Sequence, residues 1–279
     1  MSPRGPRRDP VWGRNKLVAL LAAVVAAVVL LVAGLVLAVY YTLHATRHGP
    51  AHHANQPASP GRPGSGAPSR AAASSPLAQR DALALKTMPS IDLDVSTPSM
   101  VSTRDPGAIA IPAAARTGPA GVPTGFPHTA EGALAQLAAI DQSALQSGTL
   151  DGTREVIAEW AAPNGPTPRS WSGVTAMAEL LDAAGLSGGG SPQLSLVVTP
   201  LMGLIKGSVG SDFVIPCIDF EVDATLAQTQ RVASADCQRM VWDTTRWVIG
   251  PGFEPATPPS VWPDTDTAID VGYRDLRHG

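Results

Sequence analysis

The chain has 279 residues and a net charge of −3, with 27 Gly, 27 Pro, 44% apolar and 15% charged residues. That apolar share can build a core, so a wholly disordered chain is excluded. A polytopic membrane protein is excluded too, because only one stretch is long and apolar enough to span. Its 17 Arg and 3 Lys do not outweigh its acids, so no global basic field exists for nucleic acid to find.

Taken in order, residues 1–16 are a basic tail carrying Arg4, Arg7, Arg8, Arg14 and Lys16 against Asp9. Leu17–Tyr41 follows as 25 residues without a charge. As a helix this run measures roughly 37 Å, enough for a ~30 Å hydrocarbon core with tilt. Tyr40 and Tyr41 sit where an interfacial belt is expected, and residues 17–43 are assigned as a single-pass anchor. A cleaved signal peptide has a shorter apolar region and a small-x-small site, neither of which is found here. The basic flank puts the N-terminus in the cytoplasm and the remainder outside, where residues 44–279 carry 15 basic and 22 acidic side chains, net −7.

Residues 44–76 hold ten Gly or Pro and almost no large apolar side chain, the composition of a disordered linker. Fully extended, these 33 residues reach at most roughly 110 Å. His44, His48, His52 and His53 would suit a metal on a helix, but the prolines around them favour solvated linker histidines. Residues 77–122 read as extended and partly ordered, with a short helix at Asp81–Leu85 and a strand at Ile91–Val95.

Residues 123–279 have the pattern of a packed α+β domain. Thr129 caps a helix over Ala130–Gln146 that stops at Gly148. Asp151 or Thr153 opens a second, with Val156, Ile157 and Trp160 inward. Ser170 or Ser172 opens a third, with Val174, Met177 and Leu181 inward. Strand chemistry follows at Leu194–Met202, Leu204–Val209, Phe213–Leu226, Gln230–Trp242 and Arg246–Ile249. Helices followed by consecutive strands indicate an antiparallel sheet. A last helix is expected at Asp266–Leu276 with a Thr267–Asp270 capping box.

Cys217 and Cys237 are the only cysteines, and an exported location lets them pair. Their midpoint falls beside a turn at Gln228–Gln230, so folding back there sets Cys217 opposite Cys237. The same register sets Asp223 opposite Arg231, a favourable cross-strand charge pair. A structural disulfide is expected, since no CxxC accompanies it.

No nucleophile elbow, phosphate loop or dinucleotide fingerprint is present. Asp219, Glu221 and Asp223 share one strand face and could form an acid/base or cation site. With Ile218, Phe220 and Val222 inward, they read instead as the wet face of a half-exposed sheet. His128 and Glu131, beside the first helix N-terminus, could make a small polar site, but capping and surface roles fit better. Trp242 and Trp247 flank a turn, while Trp160, Trp171 and Trp262 fill the space between helices and sheet. No catalytic, cofactor-binding or metal-binding constellation is legible.

The anchor, linker, helices and sheet together resemble bitopic assembly factors of type IV secretion, whose outer domain is a cystatin-like cone: three helices, then a curved antiparallel sheet. Residues 121–148 (GVPTGFPHTAEGALAQLAAIDQSALQSG), CIDFEVDATLA (217–227), ADCQRMVWDTTRWVIGPG (235–252) and PSVWPDTDTAIDVGYRDL (259–276) are similar to uncharacterised actinobacterial membrane proteins of conjugative elements. The resemblance implies a non-enzymatic, membrane-anchored scaffold of a cell-envelope machine serving conjugation. Its expected partners are the lipid bilayer, other proteins of that machine and a second copy of the chain, with no cofactor, metal or nucleic acid. The alternatives are a small-molecule-binding or enzymatic cone, in which an Asp, His or Tyr would face an open pocket, and a cell-wall-binding sensor.

Overall fold

The computed structural model describes residues 75–91 and 93–278. The anchor run, residues 44–74 and the linker histidines lie outside the described residues, while Ser75 and Pro76, expected in the linker, cap and open the first helix. Among the described residues, no helix is long and apolar enough to cross a membrane. The architecture is α+β: a curled, largely antiparallel sheet of seven strands with helices packed on it.

Chain order begins with α1 (Pro76–Leu85), whose N-cap Ser75 accepts from the Ala78 amide. A 3-10 turn stands at Leu93–Ser96, where alternation had suggested a strand. Alternation misled there, because Ile91 and Val95 pack on the second apolar cluster without pairing in the sheet. Strand β1 (Ala108–Ile111) and a small ribbon of β2 (Arg116–Thr117) and β3 (Pro123–Thr124) lead to α2. Helix α2 (Ala130–Gln146) starts at the expected Thr129 cap, whose hydroxyl accepts from the Gly132 amide at 3.1 Å. It is buried almost continuously from Gly132 to Asp141 and packs across the middle of the sheet. Helix α3 (Leu150–Trp160) is capped by Thr149, two residues before the first expected cap, and α4 (Ser172–Ala183) begins after Trp171.

Strand β4 (Ser195–Ser208) is continuous where two strands were expected, with register shifts at Pro200/Met202 and Ile205/Gly207 that curl it. It pairs with β5 (Phe213–Thr225), the centre of the sheet. One end of β5 pairs with β6 (Thr229–Cys237) and the other with β7 (Met240–Trp242), which pairs with β8 (Trp247–Ile249). The C-terminal segment corrects the sequence reading. Helix α5 is short (Asp266–Val271), is capped by Thr265 rather than Thr267, and ends at Gly272 with φ 103°. The residues beyond it form β9 (Arg274–His278), parallel to β1 and antiparallel to β4.

Alternation along β5 gives it two buried faces. Val214, Ile218, Phe220 and Val222 meet α2 and the tryptophans Trp160, Trp171 and Trp247. Phe213, Ile215 and Cys217 face a second layer that includes Ala84 of α1, Val261, Ala268 and Tyr273. Residues that looked like a loosely docked approach therefore roof half of the sheet.

The expected hairpin register is present in full: Cys217 lies opposite Cys237, and Asp223 opposite Arg231. The cysteines form a disulfide across Cα atoms 4.1 Å apart. The bond closes a sequence separation of 20 residues and constrains the unfolded chain most. Replacing both cysteines by Ala should lower unfolding free energy by about 2–3 kcal/mol. Urea titration of the two forms checks this, and coincident midpoints would refute it.

Candidate functional site

Helix α2, helix α4 and the curled end of the sheet leave a cleft of about 600 Å³ between them. Its wall carries Asp141 from α2, Trp171 and Ser172 at the start of α4, Asp236 from β6, and Glu254 from the following loop. Asp141 is 4% exposed, and its Oδ2 has no hydrogen-bond partner. An unpaired buried carboxyl is costly, so the fold bears an unmet demand at this point. The buried indole Nε1 of Trp171 is likewise unpartnered. The ring lies across the first turn of α4, where a Cβ on Gly173 would come within 2.7 Å of it. A glycine is therefore required for that approach.

A polar chain runs around the cleft. Gln238 Nε2 donates to Asp236 Oδ2 at 2.9 Å and to Ser172 Oγ at 3.3 Å. The Ser172 amide, an orphan donor of the helix start, donates to Glu254 Oε1 at 2.9 Å. Burial, then the charges of Asp236 and Glu254, push the Asp141 carboxyl well above the usual carboxylate range. Burial raises Asp236 to about 6, offset in part by its bond from Gln238. Burial thus favours the protonated form of both carboxyls, Asp141 foremost. Among the described residues, no three His, Cys, Asp or Glu side chains come together closely enough to hold a metal ion.

The cleft continues into a second hollow of about 460 Å³ with an apolar lining, including Leu180, Val222, Leu226 and Val232. Leu145, Ala176, Glu179 and Ser234 line both. Together they form one groove, acidic at one end and greasy at the other.

The residues singled out in the sequence lie elsewhere. Asp219 corrects the wet-face reading: it is 0% exposed beneath the second layer, and neither carboxylate oxygen has a partner of ordinary geometry. Burial raises its pKa well above the usual value, and the nearby Val261 amide offsets only part of that. The cover thins along the strand, leaving Glu221 17% and Asp223 34% exposed, and both hold Arg231. His128 stacks on Trp242 with centroids 4.3 Å apart, and its Nε2 lies 2.9 Å from Asp212 Oδ1. Glu131 lines a different groove, along β1, so the structure does not gather these two into one site. Asp141 was the residue missed. The signal available was a single charged residue deep in an otherwise apolar helix, AEGALAQLAAIDQSALQ.

Comparison with known proteins finds no matching family model, no matching characterised protein and no matching solved structure.

Proposed function

We propose that the described domain is a ligand-binding module of cystatin-like cone type, carried outside the membrane on an N-terminal anchor and linker. The observation that supports binding is Asp141, a buried carboxyl with an unpartnered oxygen on the floor of an open cleft. Natural folds seldom leave such a group unpaired unless a ligand, ion or water meets it. No His, Lys or free Cys lines the cleft to activate Ser170, Ser172 or Ser234, so recognition is favoured over catalysis.

The test is a thermal-shift screen of the full chain against small molecules of varied charge, beside Ala176→Trp, which blocks the groove from the helix side. A ligand at 100 times its Kd should stabilise the wild type by about 2.7 kcal/mol and leave the variant unmoved. Equal shifts in both, or none in either, would remove the reading. The setting we propose remains a conjugative envelope machine, supported by the uncharged run Leu17–Tyr41 and the stretches quoted above. Undiminished transfer after deletion in a donor cell would exclude that setting without touching the cleft.

A further inference from the structure

The composition of the groove narrows what it can accept. Every ionisable side chain lining either hollow is acidic: Asp141, Glu179, Asp236 and Glu254. No Lys, Arg or His lines the groove to neutralise them. Carboxylates in a walled cleft focus a negative field outward and select for cations. A bare metal ion does not fit, because these groups do not converge on one point. An organic cation with several N–H donors can instead meet carboxyls that stand apart.

The other end sets the second requirement. Leu226 and Val232 are 39% and 38% exposed, large apolar side chains left open along the hollow that continues from the acids. Burying them would be favourable by about 25 cal/mol per Å². Continuity through Leu145 and Ala176 means that one molecule can reach both ends.

Resting on the ligand-binding reading, we propose that the groove takes an organic amine or guanidinium with a short apolar tail, the cation over Asp141, Asp236 and Glu254 and the tail along Leu180, Leu226 and Val232. Entry of the cation favours the ionised form of Asp141, so binding at a pH where burial keeps that carboxyl protonated releases a proton. Trp171 flanks the cation with its ring, a contact that favours positive over negative ligands.

Titration calorimetry of the full chain in nanodiscs, with empty nanodiscs subtracted, tests this with four probes: hexylamine, hexanoate, hexan-1-ol and ethylamine. Hexylamine should bind at least tenfold more tightly than each of the others. Its enthalpy should depend on the ionisation heat of the buffer, reporting the released proton. Asp141→Asn, checked for folding by its melting curve, should weaken hexylamine about tenfold and abolish the buffer dependence. Val232→Ser should weaken hexylamine but not ethylamine. Hexanoate or hexan-1-ol binding as tightly as hexylamine overturns the cation assignment while leaving a ligand cleft in place. If no probe binds, the proposal fails, and an empty thermal-shift screen would show that the ligand-binding reading fails with it.

Discussion

Raising the pH from 5 to 8 should destabilise the described domain by at least about 1.4 kcal/mol, a direction opposite to that of a protein held by salt bridges. Burial raises the carboxyls of Asp141, Asp219 and Asp236 in the fold, Asp236 to about 6. In the unfolded chain each titrates near 4. Between the two values the folded state holds more protons than the unfolded state. Stability is therefore full below pH ~4 and drains at about 1.4 kcal/mol per pH unit for each such group, until the folded pKa is passed. Asp236 alone accounts for about 3 kcal/mol between pH ~4 and ~6, roughly half of it above pH 5, and Asp141 and Asp219 add to the loss in the same direction. Urea unfolding at pH 5, 6.5 and 8, followed by tryptophan emission, reads the trend. Asp219→Asn should raise stability at pH 8 and flatten the profile. A wild-type profile that is level or rises with pH would contradict the burial assignments.

The contrast between Asp219 and the cysteines shows what the sequence could reveal. A hairpin is a local object: a turn near residue 227 and a period of two dictate Cys217 opposite Cys237 and Asp223 opposite Arg231. The same alternation states that Asp219, Glu221 and Asp223 share a face, but not what lies above it. That cover comes from α1, the 3-10 turn and residues around Val261 and Tyr273, all distant from β5 in sequence. Strand β9 was hidden for the same reason, because its parallel partner β1 lies more than 160 residues away. Long-range pairing of such short segments leaves no local pattern. The acidic cleft gathers α2, α4, β6 and a proline-rich loop, so only its floor, Asp141, had a visible signature.

The second layer is tied to the sheet by one buried charge, and removing its partner should cost about 3 kcal/mol. Arg239 follows β6 and is 3% exposed; its Nη2 donates to Asp81 Oδ1 of α1 at 2.8 Å. The guanidinium also lies 5.3 Å from the Phe213 ring centroid. Its other side is closed by Gly252, where a Cβ would come within 2.7 Å of Cζ at a φ of 112°. The cation therefore has little room to reach water, and its Nε is already without a partner. Asp81→Ala strands that charge under the layer. Asp81→Ala combined with Arg239→Met removes the charge as well and restores apolar packing against Phe213, so the double variant should be more stable than the single one. Hydrogen exchange locates the damage: the amides of α1 and that of Ala256, which donates to Ala84 O at 3.0 Å, should lose protection in the single variant first. Lys206, whose ammonium accepts no bond but donates to Ala84 O and Lys86 O, holds the end of the same helix. Its replacement by Met should loosen α1 while leaving the disulfide hairpin protected. A single variant as stable as the wild type, or a double variant less stable than the single, would show that Arg239 reaches solvent and that the layer is held by apolar contact alone.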